Sequence, residues 1–157
     1  FGDIKIEDAD QVKANWDEIK REERGSAVGS ALGEPPSGLP GLQRAGTLQR
    51  QAAAVGFDWD EPGAVVEKIA EEIGELSEVM TDPLRAAEEL GDLLFSVVNL
   101  ARHLEVDPEL ALAGSIHRFV DRFRAMEAMG PLSGLEIDEL NRRWEAAKGR
   151  VGKHRPN

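Results

Sequence analysis

Cysteine and tyrosine are absent from this 157-residue chain, and its aromatic residues amount to five Phe and three Trp. Without cysteine there is no disulfide framework, no thiolate zinc site and no cysteine nucleophile. Basic residues are scarce as well, with 19 Lys and Arg against 30 Asp and Glu and a formal charge of −11. That balance argues against a nucleic-acid partner, which needs a basic face to neutralise phosphates. No apolar run approaches the ~20 residues that span a bilayer, and no signal-peptide pattern opens the chain, so the sequence predicts no membrane association and a cytoplasmic location. The first residue is Phe1 rather than Met, which reads as part of something longer. The length fits one domain with enough chain to bury a core.

The charge that is present is divided along the chain. Residues 1 to 116 carry 24 acids and 10 bases, whereas residues 117 to 157 carry 6 acids and 9 bases. Periodicity predicts helices throughout and no alternating strand, so the expected class is all-α. A thin apolar stripe of Val12, Trp16 and Ile19 predicts a peripheral helix over 8 to 24. Gly, Ser and Pro crowd residues 25 to 41 and predict a flexible connector. We therefore expect two parts: an N-terminal helix with its linker over 1 to 38, and a helical domain over 39 to 157.

Within that domain a short helix is expected over 40 to 55, with Gly46 as its weak point. Next comes the loop GFDWDEPG (56 to 63), whose two aromatics are expected to dock on a neighbour. The helix over 62 to 80 has a stripe of Val65, Ile69, Ile73, Leu76 and Met80. The next, over 83 to 105, is apolar on more than half its circumference, through Leu90, Leu94, Val97 and Leu104 among others. So wide a face needs more than one neighbour, which predicts a homodimer whose joined helices complete a bundle. Asp107-Pro108 opens a helix to about 129, and a last one over 136 to 148 is expected to stop at Gly149.

The strongest chemical signal is Glu71-Glu72-x-x-Glu75 on one helix followed by Glu88-Glu89-x-x-Asp92 on the next. Residues three apart lie about 60° from one another on a helix, so Glu72 with Glu75 and Glu89 with Asp92 form two pairs, each at the margin of an apolar stripe. A single such pair reads as a solvated face. Two in tandem on a helical hairpin bring four carboxylates to one edge, an arrangement that calls for cations among them. All-oxygen donors suit Mg²⁺, with Mn²⁺ as a substitute. A di-iron bundle is the competitor, but it characteristically pairs Glu with His three residues on, and neither pair has one. His103 reads as a polar-stripe residue rather than a ligand. Arg118 and Arg122, one turn apart, could grip phosphate oxygens. Trp144 and Lys148 place an aromatic plane beside an ammonium, although Trp144 alone reads more simply as core. Lys68 and Arg85 each stand one turn before a carboxylate they could orient; surface ion pairs are the plain alternative.

The runs VGFDWDEPGAVVEKIAEEIGEL, EELGDLLFSVVNLARHL, DPELAL and HRFVDRFRAME together resemble the MazG nucleoside triphosphate pyrophosphohydrolases, in particular their C-terminal domain, over roughly residues 39 to 148. The acidic signature alone marks the wider all-α pyrophosphohydrolase superfamily. The resemblance implies Mg²⁺-dependent hydrolysis of a nucleoside triphosphate to the monophosphate and pyrophosphate, and a dimer. It implies Glu72, Glu75, Glu89 and Asp92 as Mg²⁺ ligands, with Lys68, Glu71, Arg85 and Glu88 lining the nucleotide site. Arg118 and Arg122 would contact phosphates, and Trp144 with Lys148 would form a C-terminal nucleotide contact. Glu71, beside the ligands, is the candidate for positioning or deprotonating the attacking water. Two positions depart from the family pattern: Thr47 where a Lys is common, and Ile116 where an Asn is frequent. A narrower dUTP or phosphoribosyl-ATP pyrophosphohydrolase, or a non-catalytic helical dimerisation module, is the alternative.

Overall fold

A computed structural model describes residues 30–33 and 37–151. The helix expected over 8 to 24 lies outside the described residues, as do residues 25–29 and 34–36 of the connector after it. The described residues form five helices and no strand: α1 (Gly41–Ala53), α2 (Pro62–Val79), α3 (Pro83–His103), α4 (Pro108–Glu127) and α5 (Ile137–Val151). None of them is long and apolar enough to cross a membrane.

Proline at the first helical position sets three of the starts. Its fixed φ suits the first turn, and its missing N–H is one that the helix leaves unpaired anyway. Asp82 and Asp107 complete two of these starts: Asp82 Oδ1 accepts from the backbone N–H of Leu84 at 3.1 Å, and Asp107 Oδ1 accepts from that of Leu110 at 3.0 Å. Helix α3 stops two residues earlier than its periodicity predicts, because Glu105 takes a left-handed backbone (φ 56°) and Val106 N–H turns back to the carbonyl of Ala101 at 2.8 Å. Helix α5, by contrast, runs through Gly149 to Val151. Glycine costs a helix interior about 1 kcal/mol but ends it only by adopting a left-handed turn, and Gly149 does not. Gly46 is buried mid-helix, where an added Cβ would lie 3.5 Å from Val98 Cγ1. Packing of α1 on α3 at that point offsets the propensity cost.

The helices assemble as two hairpins. Helices α2 and α3 turn on Thr81-Asp82 and pack along their length, and α4 packs on α5. Helix α1 lies on α3 and touches α4, α3 meets α4 only sparsely, and α2 makes no contact with α4 or α5. Among the described residues the buried apolar side chains are Val65, Val79, Val98, Met126 and Ala147. On α2 the inward residue near the C-terminus is Val79 rather than the expected Met80, which is 73% exposed. On α3 the predicted apolar face, with Leu90, Leu94, Val97 and Leu104, is between 44 and 56% exposed, and on α4 Ile116, Phe119 and Phe123 are exposed as well. Periodicity located these faces, but among the described residues of a single chain nothing covers them.

Candidate functional site

The acidic signature meets across the α2–α3 hairpin. Glu72, Glu75 and Glu89 each present a carboxylate oxygen, all within 4.8 Å of one another. Glu72 is only 4% exposed, an unusual burial for a carboxylate. One of its oxygens is held by Lys68 Nζ at 2.7 Å, while the other, Oε2, is buried with no partner among the described residues. Lys68 also holds Glu71, at 2.8 Å. Bonds to Glu71 and then Glu72 push the ammonium above its ordinary range. The carboxyl of Glu75 is pushed up, first by loss of hydration and then by the negative charge of Glu72. Asp92 is exposed and stands outside the group of three, so the expected convergence of four is a convergence of three with the fourth beside it.

This chemistry fits a hard divalent cation. Three clustered carboxylates, one of them with an orphaned buried oxygen, form an all-oxygen donor set whose mutual repulsion a cation relieves. The residues present therefore fit Mg²⁺.

A cavity of about 730 Å³ opens beside the cluster, bounded by α1, the loop after it, α2 and α3. Lys68, Glu72 and Asp92 line it on the acidic side, and Leu48, Phe57, Trp59 and Phe95 supply apolar wall. The loop aromatics do not dock as expected: Phe57 is 83% exposed and Trp59 is 45% exposed. The loop is fastened by Asp58 instead. Asp58 accepts from both terminal nitrogens of Arg102, one at 3.0 Å, and lies 3.3 Å from His103 Nε2. Arg102 holds its carboxyl below the ordinary value of 3.8. His103 is thus part of a loop fastening. This network, like the buried Gln49 on the cavity wall, was not singled out from the sequence; the residues it joins are 44 positions apart.

The remaining candidates fall elsewhere. Arg85 and Glu88 are exposed on the first turns of α3. Arg122 stacks its guanidinium 5.9 Å from the Trp144 ring, its Nε buried and unpaired, and Trp144 packs on Phe119 at 5.5 Å. Arg118 donates to Ser115 Oγ at 2.6 Å, and Lys148 pairs with Glu145 at 2.7 Å. These four residues belong to the second hairpin, and none of them lines the cavity beside the acidic cluster. Thr47 lines a different cavity, of about 530 Å³, with Arg50 and Arg102. Ile116 is exposed on α4.

An all-helical protein with a carboxylate cluster on a helical hairpin, open to an aromatic-walled cavity, is the class defined so far. Comparison with known proteins narrows it. Residues 61–126 match the family described as the MazG nucleotide pyrophosphohydrolase domain. The chain is 46% identical over 139 residues to the nucleoside triphosphate pyrophosphohydrolase/pyrophosphatase MazG of Thermotoga maritima, an alignment covering 85% of this chain and 54% of that protein. It is 40% identical over 158 positions to the nucleoside triphosphate pyrophosphohydrolase of Escherichia coli K12, covering 94% of this chain and 60% of that one. It is also 38% identical to an uncharacterized Bacillus subtilis protein, YabN, of which it covers 32%. The chain is similar to MazG proteins over most of its own length, and it spans a little over half the length of the first two relatives.

Proposed function

We propose that this chain hydrolyses nucleoside triphosphates to the monophosphate and pyrophosphate, with Mg²⁺ held by Glu72, Glu75 and Glu89 and completed by Asp92. The observation that carries this reading is the buried, unpartnered oxygen of Glu72 within the three-carboxylate cluster, at the edge of a cavity large enough for a nucleoside. Mn²⁺ suits the same donors. The relatives' names support the reaction type.

When bound, Mg²⁺ supplies positive charge to the polyphosphate and acidifies water near the α-phosphorus. Lys68 holds Glu72 and Glu71 in fixed relation through one ammonium, which aligns a ligand and a water-positioning group on adjacent residues. Glu71, 57% exposed in its side chain, is free on its outer side to receive the water proton. Arg85 and Glu88, exposed on the first turns of α3, belong to the same hairpin as the acidic cluster, and we assign them to contacts with the nucleotide outside the cavity wall. Arg118, Arg122 and Lys148 stabilise the departing pyrophosphate, and Trp144 offers a stacking plane for the nucleotide.

The second hairpin reaches the acidic site by dimerisation. Among the described residues of one chain α2 touches neither α4 nor α5, and the apolar faces of α3 and α4 stand uncovered. A second copy covers those faces and presents its basic hairpin to the acidic one. The substrate is a single nucleotide and not a nucleic acid, since the charge of −11 leaves no basic groove. The protein works in the cytoplasm, where triphosphates and Mg²⁺ are abundant.

The test is to follow products directly. Incubation of the chain with a triphosphate and Mg²⁺ releases pyrophosphate and nucleoside monophosphate in equal amounts, with no activity in chelator. Orthophosphate as the first product would refute attack at the α-phosphorus.

A further inference from the structure

The cavity holds one buried polar group that metal and phosphate chemistry leave unused. Gln49, on α1, is 7% exposed and lines the cavity wall. Its Nε2 donates to the main-chain carbonyl of Phe95 at 2.8 Å. A carbonyl only accepts, so this bond fixes which end of the amide faces α3 and leaves the oxygen as the group without an assignment. Oε1 is buried and has no donor among the described residues. Two neighbouring polar groups are engaged elsewhere: Asn99 Oδ1 accepts from Arg102 at 2.8 Å, and Arg102 is held by Asp58. A buried acceptor of fixed orientation, beside Trp59 and Phe95, suits a planar ring that brings an N–H donor.

We propose that Gln49 is a specificity-determining residue: its Oε1 accepts a hydrogen bond from an amino N–H of a nucleobase whose edge enters the cavity lined by Trp59 and Phe95, so that bases lacking that donor are discriminated against. The proposal rests on the nucleotide reading of the cavity. It adds the polarity of the contact, since an amide whose nitrogen is committed to Phe95 offers the base only an acceptor. A base without a donor would leave Oε1 unpaired in the complex as it is in the free protein, so the discrimination is the hydrogen bond that a donor-bearing base gains.

The experiment compares ATP with purine riboside triphosphate, which differs by the missing 6-amino group. In the wild-type chain with Mg²⁺, kcat/KM is expected to favour ATP by about tenfold or more. In Gln49→Leu the two nucleotides should come within about twofold of each other, through loss on ATP while purine riboside triphosphate is unchanged. Equal turnover of both nucleotides by the wild-type chain overturns the proposal, whatever the variant does. A uniform fall on both nucleotides in Gln49→Leu also overturns it, because that is what a purely structural bond to Phe95 would give. Calorimetry with Ca²⁺ in place of Mg²⁺ separates this inference from the one beneath it. Tighter binding of ATP, levelled in Gln49→Leu, sustains the proposal even if no triphosphate is hydrolysed, and absence of either nucleotide's binding overturns it.

Discussion

The two hairpins are built alike and charged differently. Both start at a proline that follows an Asp cap or an extended residue, and both pack one long helix against its neighbour. Residues 62–103 carry nine Asp and Glu against three Lys and Arg, whereas residues 108–151 carry seven of each. The first hairpin concentrates its acids at an interhelical edge, with Glu72 buried among them. The second sets Arg122 on Trp144 and keeps its cations at the surface. Phosphate chemistry needs both kinds of surface: carboxylates to hold a cation, and cations to meet the anion. The chain makes each on a separate hairpin, and among the described residues the first helix of the acidic hairpin does not meet the basic one.

The largest effect expected from breaking this division is at the acidic edge. Glu89→Ala should reduce turnover by about a thousandfold or more, with helicity unchanged because alanine favours a helix. Asp92→Ala, at the fourth ligand we propose outside the group of three, should cost about a hundredfold. Circular dichroism and pyrophosphate release check both. An Asp92→Ala chain with full activity would confine the metal site to three carboxylates.

A smaller loss, about tenfold to a hundredfold in kcat/KM, is expected for Arg122→Ala. The comparison sharpens when variants are mixed. If each basic hairpin serves the partner's acidic one, Glu89→Ala and Arg122→Ala chains, each nearly inactive alone, recover about a quarter of wild-type activity after co-refolding, because half the dimers are mixed and each of those carries one intact site. No recovery would place both hairpins' contributions within one chain.

The smallest effect concerns the loop fastening. Arg102 depresses the Asp58 carboxyl, so this pair contributes stability that is fully present above the ordinary Asp value of 3.8 and is lost as pH falls below it. Asp58→Asn should lower unfolding free energy by about 1 kcal/mol at neutral pH, and the difference from wild type should shrink as the solution is acidified below about pH 4. Denaturant titrations at two pH values measure it.

What the sequence made legible was what depends on local spacing. The prolines at 62, 83 and 108 mark helix starts to the residue. The carboxylate pairs three residues apart identify their shared edge without coordinates, because helical geometry fixes it. Spacing cannot say which side of an apolar helix its own chain covers. Leu94 and Val97 continue the stripe on α3 as well as Val98 does, yet only Val98 is buried. Nor does it find Gln49 or the Asp58–Arg102 pair, whose partners lie 46 and 44 residues away and meet only once α1 and the loop have packed on α3. Gly149 misled for the opposite reason, since a local signal was present and nothing beyond it required the turn.

Among the described residues, five buried apolar side chains are a slender interior beside so much exposed leucine, valine and phenylalanine. If the remaining apolar surface is covered by a second copy, folding and association share one free energy, and the midpoint of unfolding becomes a property of the solution as well as of the sequence. Each tenfold dilution then removes about 1.4 kcal/mol from the associated state. A turnover assay run at nanomolar enzyme would sample a different population from a sedimentation run at micromolar. Specific activity should accordingly rise with enzyme concentration before it levels off, and the level reached is the value that belongs to the intact site.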